Sequence, residues 1–387
     1  MRPGTPQFIG ERLREAREVR GHTQITLSEV LGVSNSAISQ YEKGVTSPYP
    51  EIMDKLLTAL NFPANFFFTP PRPPEEETIV FYRSRKSATI AARKRAEWKY
   101  TWLKEVVDYL SQFFEFPNVN FPNCPFTEDP FDISMKHIEM AASSLRTFWG
   151  LGDKIISNTV YLLENNGAIV TKLPFDNEAL DAFSNWRWIE NRPYVILGSD
   201  KLSASRSRLD VCHELGHMIL HRNIKKEDFK KKSFFDLIED QAYVFAGAFL
   251  MPASSFASEF IPNLIALQSL KMRWNVSMAA MIMRGRNLGL LSEDQERNLW
   301  RNYVRKGYRR HEPLDDQIDH ESPAVLRQSF ETLIEHKIQT KDQILSSFCL
   351  GKKDIEELAV LPEGFLTDKP KAKVIDFNKR RERFSMS

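Results

Sequence analysis

Apolar residues recur with the spacing of an α-helix over most of the chain. This periodicity predicts helices in four stretches, namely 8–68, 88–114, 134–165 and from 205 to the end. Two short runs, 168–171 and 194–197, are instead almost continuously apolar, and Pro193 and Gly198 bound the second of them. The pattern therefore predicts a mainly α protein with a small β-sheet.

Length and composition narrow the class of protein. The chain has 387 residues, which suggests two or three domains, and 42% of them are hydrophobic, which suffices for sizeable cores. The net charge of +2 indicates no particular partner. The apolar helical run 242–251 is far shorter than the ~20 residues of a membrane span. Because the N-terminus lacks a signal-peptide pattern and the three cysteines form no C-x-x-C pair, we expect a cytoplasmic protein without a membrane partner.

Residues 23–44 have the spacing of a helix-turn-helix. Gly32 supplies the turn and Ser34 caps the second helix, while Gly44 ends it. The segment resembles the Xre/Cro type of phage-repressor domain, with a first helix over 8–20 and a later helix over 50–60. This type binds double-stranded DNA, usually as a dimer, so we expect a homodimer.

The resemblance also implies which side chains contact DNA. The helix that starts at Asn35 would enter the major groove, where Asn35, Ser36 and Gln40 can bond to base edges. Gln24, at the start of the preceding helix, would reach the DNA backbone. The alternative is a helical hairpin that contacts only protein, because seven basic and seven acidic side chains leave residues 1–68 without net charge. A basic run over 83–104 is either an additional phosphate contact or a solvated helix face.

The motif H-E-x-x-H occurs at residues 213–217. On a helix, His213 and His217 project from one face and can share a metal ion, and Glu214 lies beside the open coordination position, where it can act as a general base. The alternative is that both histidines are hydrogen-bonded core residues. A shared zinc ion is the simpler explanation, because each buried histidine would otherwise need its own partner.

A third ligand must come from elsewhere in the chain. His221 continues the four-residue spacing, but on a straight helix it lies ~12 Å along the axis from His213. Glu239 is the better candidate, since it falls on the apolar stripe of the helical run 239–252 and a buried carboxylate needs a cation. The alternative for Glu239 is an acid that merely favours the start of a helix.

These segments resemble a known family. H-E-L-G-H-x-x-x-H, followed by E-D-Q-A-Y-V-F-A-G-A-F-L-M-P, is similar to the ImmA/IrrE family of metallo-endopeptidases over roughly 135–315. The resemblance implies a zincin-like fold, with His213, His217 and Glu239 as Zn²⁺ ligands and Glu214 as the base. It also implies site-specific cleavage of a repressor-type protein in phage, mobile-element or stress regulation. One departure is Gln241, which stands where many members carry a second acid.

The predicted architecture has four parts. An all-α helix-turn-helix domain (1–68) precedes a Pro-rich linker with a basic connecting helix (69–133), an α+β zincin-like metallopeptidase domain (134–315) and a helical C-terminal region with a basic tail (316–387). The substrate would add a strand to a sheet edge, for which Tyr194, Val195, Ile196 and Leu197 are the candidates.

Two other functions stay open. The zinc domain could sense a partner or ligand without cutting, as part of a DNA-binding regulator or an antitoxin-like protein. The zinc could also be purely structural, but an intact Glu214 argues against this, because structural sites usually close with four protein ligands.

Overall fold

A computed structural model of the chain describes residues 4–73, 80–82, 89–123, 129–175, 182–187, 189–200, 203–224 and 232–367. Three sequence predictions lie outside these residues. They are the part of the Pro-rich linker over 74–77, the first part of the basic run over 83–88, and the basic tail over 368–387.

The N-terminal part folds as the predicted helix-turn-helix. Its helices are α1 (Gly10–Val19), α2 (Gln24–Leu31), α3 (Asn35–Glu42) and α4 (Pro50–Leu60), followed by a 3₁₀ turn, Ala64–Phe68. Local chemistry explains the breaks. The Ser34 side chain accepts a hydrogen bond from the backbone of Ala37 and so caps α3, and Gly32 ends α2 with a φ of 70°.

A small sheet and further helices make up the rest of the described chain. The strands are β1 (Val80–Tyr82), β2 (Ile169–Leu173), β3 (Ala182–Arg187) and β4 (Arg192–Gly198). The helices are α5 (Ile90–Leu110), α6 (Met135–Phe148), α7 (Thr159–Asn165), α8 (Ala204–Leu220), α9 (Lys232–Leu250), α10 (Ala253–Glu259), α11 (Leu264–Trp274), α12 (Met278–Asn287), α13 (Glu293–Arg305), α14 (Val325–Glu335), α15 (Lys341–Ser346) and α16 (Lys352–Leu358). The predicted fold class, mainly α with a small β-sheet, is confirmed. Among the described residues, no helix combines the length and apolarity that crossing a membrane requires.

The sheet corrects one sequence prediction. Its strand order is β1-β3-β4-β2, so β4 pairs with β3 on one side and with β2 on the other. Tyr194, Val195, Ile196 and Leu197 therefore belong to an interior strand, and the prediction that they form a substrate-binding edge is wrong. A continuously apolar run is the signature of a strand that is buried on both faces, which here is the interior strand.

The two faces of the sheet support two different cores. On one face, Phe183, Tyr194 and Ile196 pack in the cluster that also contains the core of α1–α4, much of α5 and the C-terminal helices α14–α16. On the other face, Val195 and Leu197 pack in the cluster formed by the helices α6–α13. The helix-turn-helix thus shares its core with the connecting helix and the C-terminal region.

Polar contacts reinforce this shared core. On α5, the Trp102 indole donates to Glu15 at 2.6 Å and the Trp98 indole donates to Glu18 at 2.8 Å. Arg20, at the end of α1, donates from both terminal nitrogens to Asp354 of α16, at 2.6 and 2.7 Å. The helix-turn-helix is therefore held by side chains from two other parts of the chain.

The same core changes the interpretation of the basic run. Lys99 and Lys104 are 8% and 4% exposed, and Lys99 pairs with Glu357 at 3.1 Å. These two lysines are therefore neither DNA-contacting nor part of a solvated helix face. Charge alone did not reveal that α5 is a central helix with partners on several sides.

Candidate metal centre and helix-turn-helix surface

Two helices bring the predicted metal ligands together. His213 and His217 lie on one face of α8, and the carboxylate of Glu239 on α9 lies 3.4 Å from His213 Nε2 and 3.3 Å from His217 Nε2. The donor atoms of these residues all lie within 4.8 Å of one another. Both histidines are fully buried and Glu239 is 14% exposed, so within the cluster only the carboxylate reaches solvent.

A glycine allows the two helices to approach this closely. A Cβ atom at Gly216 would lie 3.1 Å from the Cα and the carbonyl oxygen of Ala242, which is tighter than nearly all such contacts. Because Gly216 carries no side chain, α9 packs directly against the backbone of α8. Glu239, three residues before Ala242, is thereby brought next to the two histidines.

The environment of Glu239 supports a cation site. The helix α9 begins at Lys232, so Glu239 is not an acid at a helix start, as the alternative required. Burial by itself would raise the pKa of this carboxyl group. Hydrogen bonds and charges from His213 and His217 outweigh that effect and hold the pKa below its usual range. Two imidazoles and one carboxylate are a donor set that fits zinc and leaves a coordination position open.

A hydrogen-bonded chain extends behind His217. Its Nδ1 lies 3.0 Å from Nδ1 of His221, and Nε2 of His221 lies 3.0 Å from Oε1 of Gln241. The Gln241 amide nitrogen donates to the backbone carbonyls of Pro130 and Ile133, so its oxygen must face His221. His221 therefore donates through Nε2 and accepts through Nδ1, which leaves the proton of His217 on Nδ1 and frees its Nε2 for a metal.

Sequence reasoning weighed His221 and Gln241 as metal ligands and set both aside, without giving either another role. In the structure His221 contacts the far side of His217, and Gln241 contacts His221. The spacing His213–His217–His221 was the visible signal, because residues four apart lie next to each other on a helix.

Glu214 has a partner that the sequence did not indicate. The Ser184 hydroxyl on β3 donates to Glu214 Oε2 at 2.6 Å, and both residues are fully buried. This bond joins the candidate base to the sheet. Tyr194 and Ile196 lie on the face of β4 that belongs to the other core, and the Tyr194 hydroxyl donates to Glu190 at 2.9 Å. The structure does not bring these two residues to the metal centre.

The predicted DNA-contacting residues lie on one part of the helix-turn-helix. Asn35, Ser36 and Gln40 on α3 are exposed. Gln24 is half-buried, and its amide donates to Glu42 Oε2 at 2.8 Å. The surface therefore offers hydrogen-bonding groups rather than charge at the start of α3.

Ion pairs occupy the arginines of α1. Arg12 bonds to Glu15, Arg14 to Glu18, Arg17 to Glu42 and Arg20 to Asp354. Cations that are neutralised within the protein contribute little to phosphate binding. The balance of basic and acidic side chains in residues 1–68 thus corresponds to ion pairs in the structure.

Family models match two parts of the chain. Residues 163–285 match the family described as the IrrE N-terminal-like domain, and residues 13–67 match a helix-turn-helix family. The predicted pair of domains is confirmed. The match to the IrrE-like domain spans the positions of His213, Glu214, His217 and Glu239.

Similar curated proteins are transcriptional regulators and repressors. The HTH-type transcriptional regulator PuuR of Escherichia coli (strain K12) is 35% identical over 71 residues, which are 18% of this chain and 38% of that protein. The regulator SutR of the same strain is 33% identical over 66 residues, or 17% and 37% of the two chains. The repressor protein C2 of Salmonella phage P22 is 27% identical over 181 residues, or 45% and 78%. The chain therefore spans little more than a third of the length of the two Escherichia coli regulators.

Proposed function

We propose that this protein is a site-specific zinc metallo-endopeptidase with a DNA-binding helix-turn-helix domain, and that it regulates transcription by cleaving a repressor-type protein. The observation that carries the proposal is the group His213, His217 and Glu239, beside which Glu214 stands in the H-E-x-x-H motif. The match to the IrrE-like family supports the same assignment.

In this proposal each side chain has a distinct task. Zinc bound by His213, His217 and Glu239 would act as a Lewis acid and lower the pKa of water. Glu214 would accept the proton of the attacking water and pass it to the leaving amine. The Ser184 hydroxyl bonds to one carboxylate oxygen of Glu214 and so limits its rotation, which directs the basic oxygen. His221 and Gln241 would hold His217 in the tautomer that metal binding requires.

For the helix-turn-helix we propose binding of double-stranded DNA as a homodimer. Asn35, Ser36 and Gln40 would bond to base edges and Gln24 to the DNA backbone, as the exposure of the start of α3 allows. The similarity to transcriptional regulators and to a phage repressor supports this part of the proposal. With the arginines of α1 paired internally, hydrogen bonding to bases should contribute more to affinity than phosphate neutralisation does.

A comparison of wild type with Glu214→Gln tests the peptidase. Gln has nearly the same shape, and its amide oxygen can still accept from Ser184, so metal content and unfolding temperature should be unchanged. New protein N-termini should appear only in cells that produce the wild type, and they should cluster in one repressor-type protein. Sequencing of N-termini in the two strains, with metal analysis of both purified proteins, provides the measurement.

The second candidate is a regulator whose zinc domain senses a partner or ligand without cutting. The similar curated proteins favour it, because they are regulators and repressors. Identical N-termini in the two strains, together with bound zinc in both proteins, would exclude the peptidase and leave this candidate.

A further inference from the structure

The edge of β3 is the part of the sheet that is nearest to the candidate base. Ser184 of β3 donates to Glu214, and α8 packs against β3 and β4. On the opposite side of the sheet, the outer strand β2 is separated from β3 by β4. An extended peptide that added to β3 would therefore pass close to Glu214, whereas one that added to β2 would not.

In the structure this edge is already occupied by the chain itself. The strand β1, residues 80–82, pairs antiparallel with β3. Phe81, its central residue, lies opposite Ser184, the residue that contacts Glu214. The backbone of β1 thus runs along β3 at the position of the candidate base.

Arg72, eight residues before β1, is held near the end of β3. Arg72 donates to Asp108 on α5, and the other oxygen of this carboxylate accepts from Arg187 at 2.8 Å. Arg187 is the last residue of β3, and in the antiparallel register the first residue of β1, Val80, lies opposite Asn185 near that end. The Asp108 carboxylate therefore bonds both to Arg72, near the start of the linker, and to Arg187, at the end of the strand that β1 pairs with.

Strand addition recognises the peptide backbone, which any extended segment provides. A tethered segment has an effective concentration in the millimolar range, so it competes strongly with an untethered peptide for the same edge. The sequence around β1, Thr78-Ile-Val-Phe-Tyr82, consists of β-branched and aromatic residues, which favour strands.

We propose that the β3 edge is a binding surface for an extended peptide and that residues 80–82 are its intramolecular occupant, which must leave before another segment can pair with β3. The proposal deepens the peptidase assignment. It rests on that assignment only for the expectation that a peptide bound at the β3 edge is cleaved. It implies that residues 80–82 block the substrate path along β3 in the structure.

Peptide binding provides a test that does not need activity. The first variant carries Val80→Gly, Phe81→Ser and Tyr82→Gly, which keep the linker length but remove the preference for a strand. The probe is a fluorescein-labelled synthetic peptide with the sequence of residues 78–84. Fluorescence polarisation should show binding to the variant at least about 10-fold tighter than to the wild type, because only the wild type retains its tethered competitor. The same peptide with every backbone amide N-methylated lacks the N–H donors that pairing with β3 requires, and it should bind neither protein.

A pair of cysteine variants controls for the fold. Val80→Cys with Asn185→Cys joins partners in register, whose Cα atoms are close enough for a disulfide. Tyr82→Cys with Asn185→Cys places the two cysteines two positions out of register, and it should not cross-link. Oxidation of the first pair should lower peptide binding below the level of the wild type. Reduction should restore the wild-type level.

Each outcome bears on one proposal. Equal binding of the peptide to wild type and triple variant, or binding to neither, would overturn the assignment of the β3 edge. Faster cleavage of the substrate by the triple variant would support it further. Selective peptide binding without any cleavage would keep the edge assignment and reject the peptidase.

Discussion

The two faces of the sheet differ in what they connect. One face belongs to a core that is shared by the helix-turn-helix, α5 and the C-terminal helices. The other face belongs to the core around α8 and α9, which carry the candidate metal ligands. The sheet therefore separates the part that contains the helix-turn-helix from the part that contains the candidate metal centre, and β4 contributes alternate residues to both cores.

This difference shows how the two parts can be coupled although their functional residues are far apart in sequence. Within the core of the DNA-binding part, Trp102 donates to Glu15 and thus links α5 to α1. At the sheet, Ser184 links β3 to Glu214. If the sheet transmits a change from one core to the other, a substitution in either core alters both; if it does not, the effect stays in the core that carries the substitution. Substitutions in either core can distinguish these two possibilities.

The largest effects are expected from one aromatic residue in each core. Phe66 and Phe245 are both fully buried, the first beside Phe62 and Trp102 and the second beside Gly216. Each change to Ala should lower the free energy of unfolding by about 3–5 kcal/mol. At temperatures where both variants stay folded, Phe66→Ala should weaken operator binding and Phe245→Ala should weaken metal binding. Titrations of DNA and of Zn²⁺ measure this.

The control for the DNA titration is the double variant Asn35→Ala, Gln40→Ala, which removes exposed groups of α3 and leaves both cores untouched. If Phe66→Ala weakened Zn²⁺ binding as much as Phe245→Ala does, the two cores would be one cooperative unit. The distinction between the faces of the sheet would then have no functional meaning.

A smaller and graded effect is expected within the core that contains the candidate metal centre. Glu239→Ala removes the proposed third ligand and should lower Zn²⁺ affinity by more than about 100-fold. Gln241→Leu removes the acceptor for His221 and the two donations to Pro130 and Ile133, and it should lower the affinity by about 10- to 100-fold, because the tautomer of His217 is no longer set. Competition with a fluorescent zinc chelator gives both affinities, and Asp240→Ala on the exposed side of α9 is the matched control. The reverse order would mean that the third ligand was assigned wrongly.

Local signals in the sequence identified the parts of the molecule that depend on neighbouring residues. The cap at Ser34, the turn at Gly32 and the pair His213–His217 follow from spacing within one or two turns of helix. The choice of Glu239 over His221 came from helix geometry and from the need of a buried carboxylate for a cation, and the structure places Glu239 beside both histidines. The assignment of this group as a zinc site stays a prediction.

Contacts between distant segments could not be predicted in the same way. The strand β4 was recognised, but its position in the sheet depends on β3, and no periodic signal marked β3, whose residues include Ser184, Asn185 and Arg187. Lys99 is buried against a helix more than 200 residues away, where it pairs with Glu357 of α16. Strand order and long-range charge pairing are set by tertiary packing, which a single sequence does not display.

The smallest effect concerns a carboxylate in the core of the DNA-binding part. Glu105 on α5 lines a cavity of ≈ 590 Å³ together with Arg12, Tyr109 and Phe348. Burial, only partly offset by Arg12, raises its pKa to about 6, above the ordinary value of 4.5 for a glutamate. The folded protein therefore binds this proton more tightly than the unfolded chain does. Its contribution to stability is present at low pH and is lost as the pH rises from about 4.5 to 6.

Glu105→Gln should remove this loss. The quantity to compare is the free energy of unfolding of the variant minus that of the wild type. This difference should be larger at pH 7.5 than at pH 4, by at most about 2 kcal/mol. Urea unfolding at the two pH values measures the difference. Glu97→Gln, also on α5 but 43% exposed, controls for the loss of a carboxylate from the same helix. An equal change at both pH values for Glu105→Gln would show that burial in the shared core does not perturb this group, and that the cavity is more open to solvent than the packing indicates.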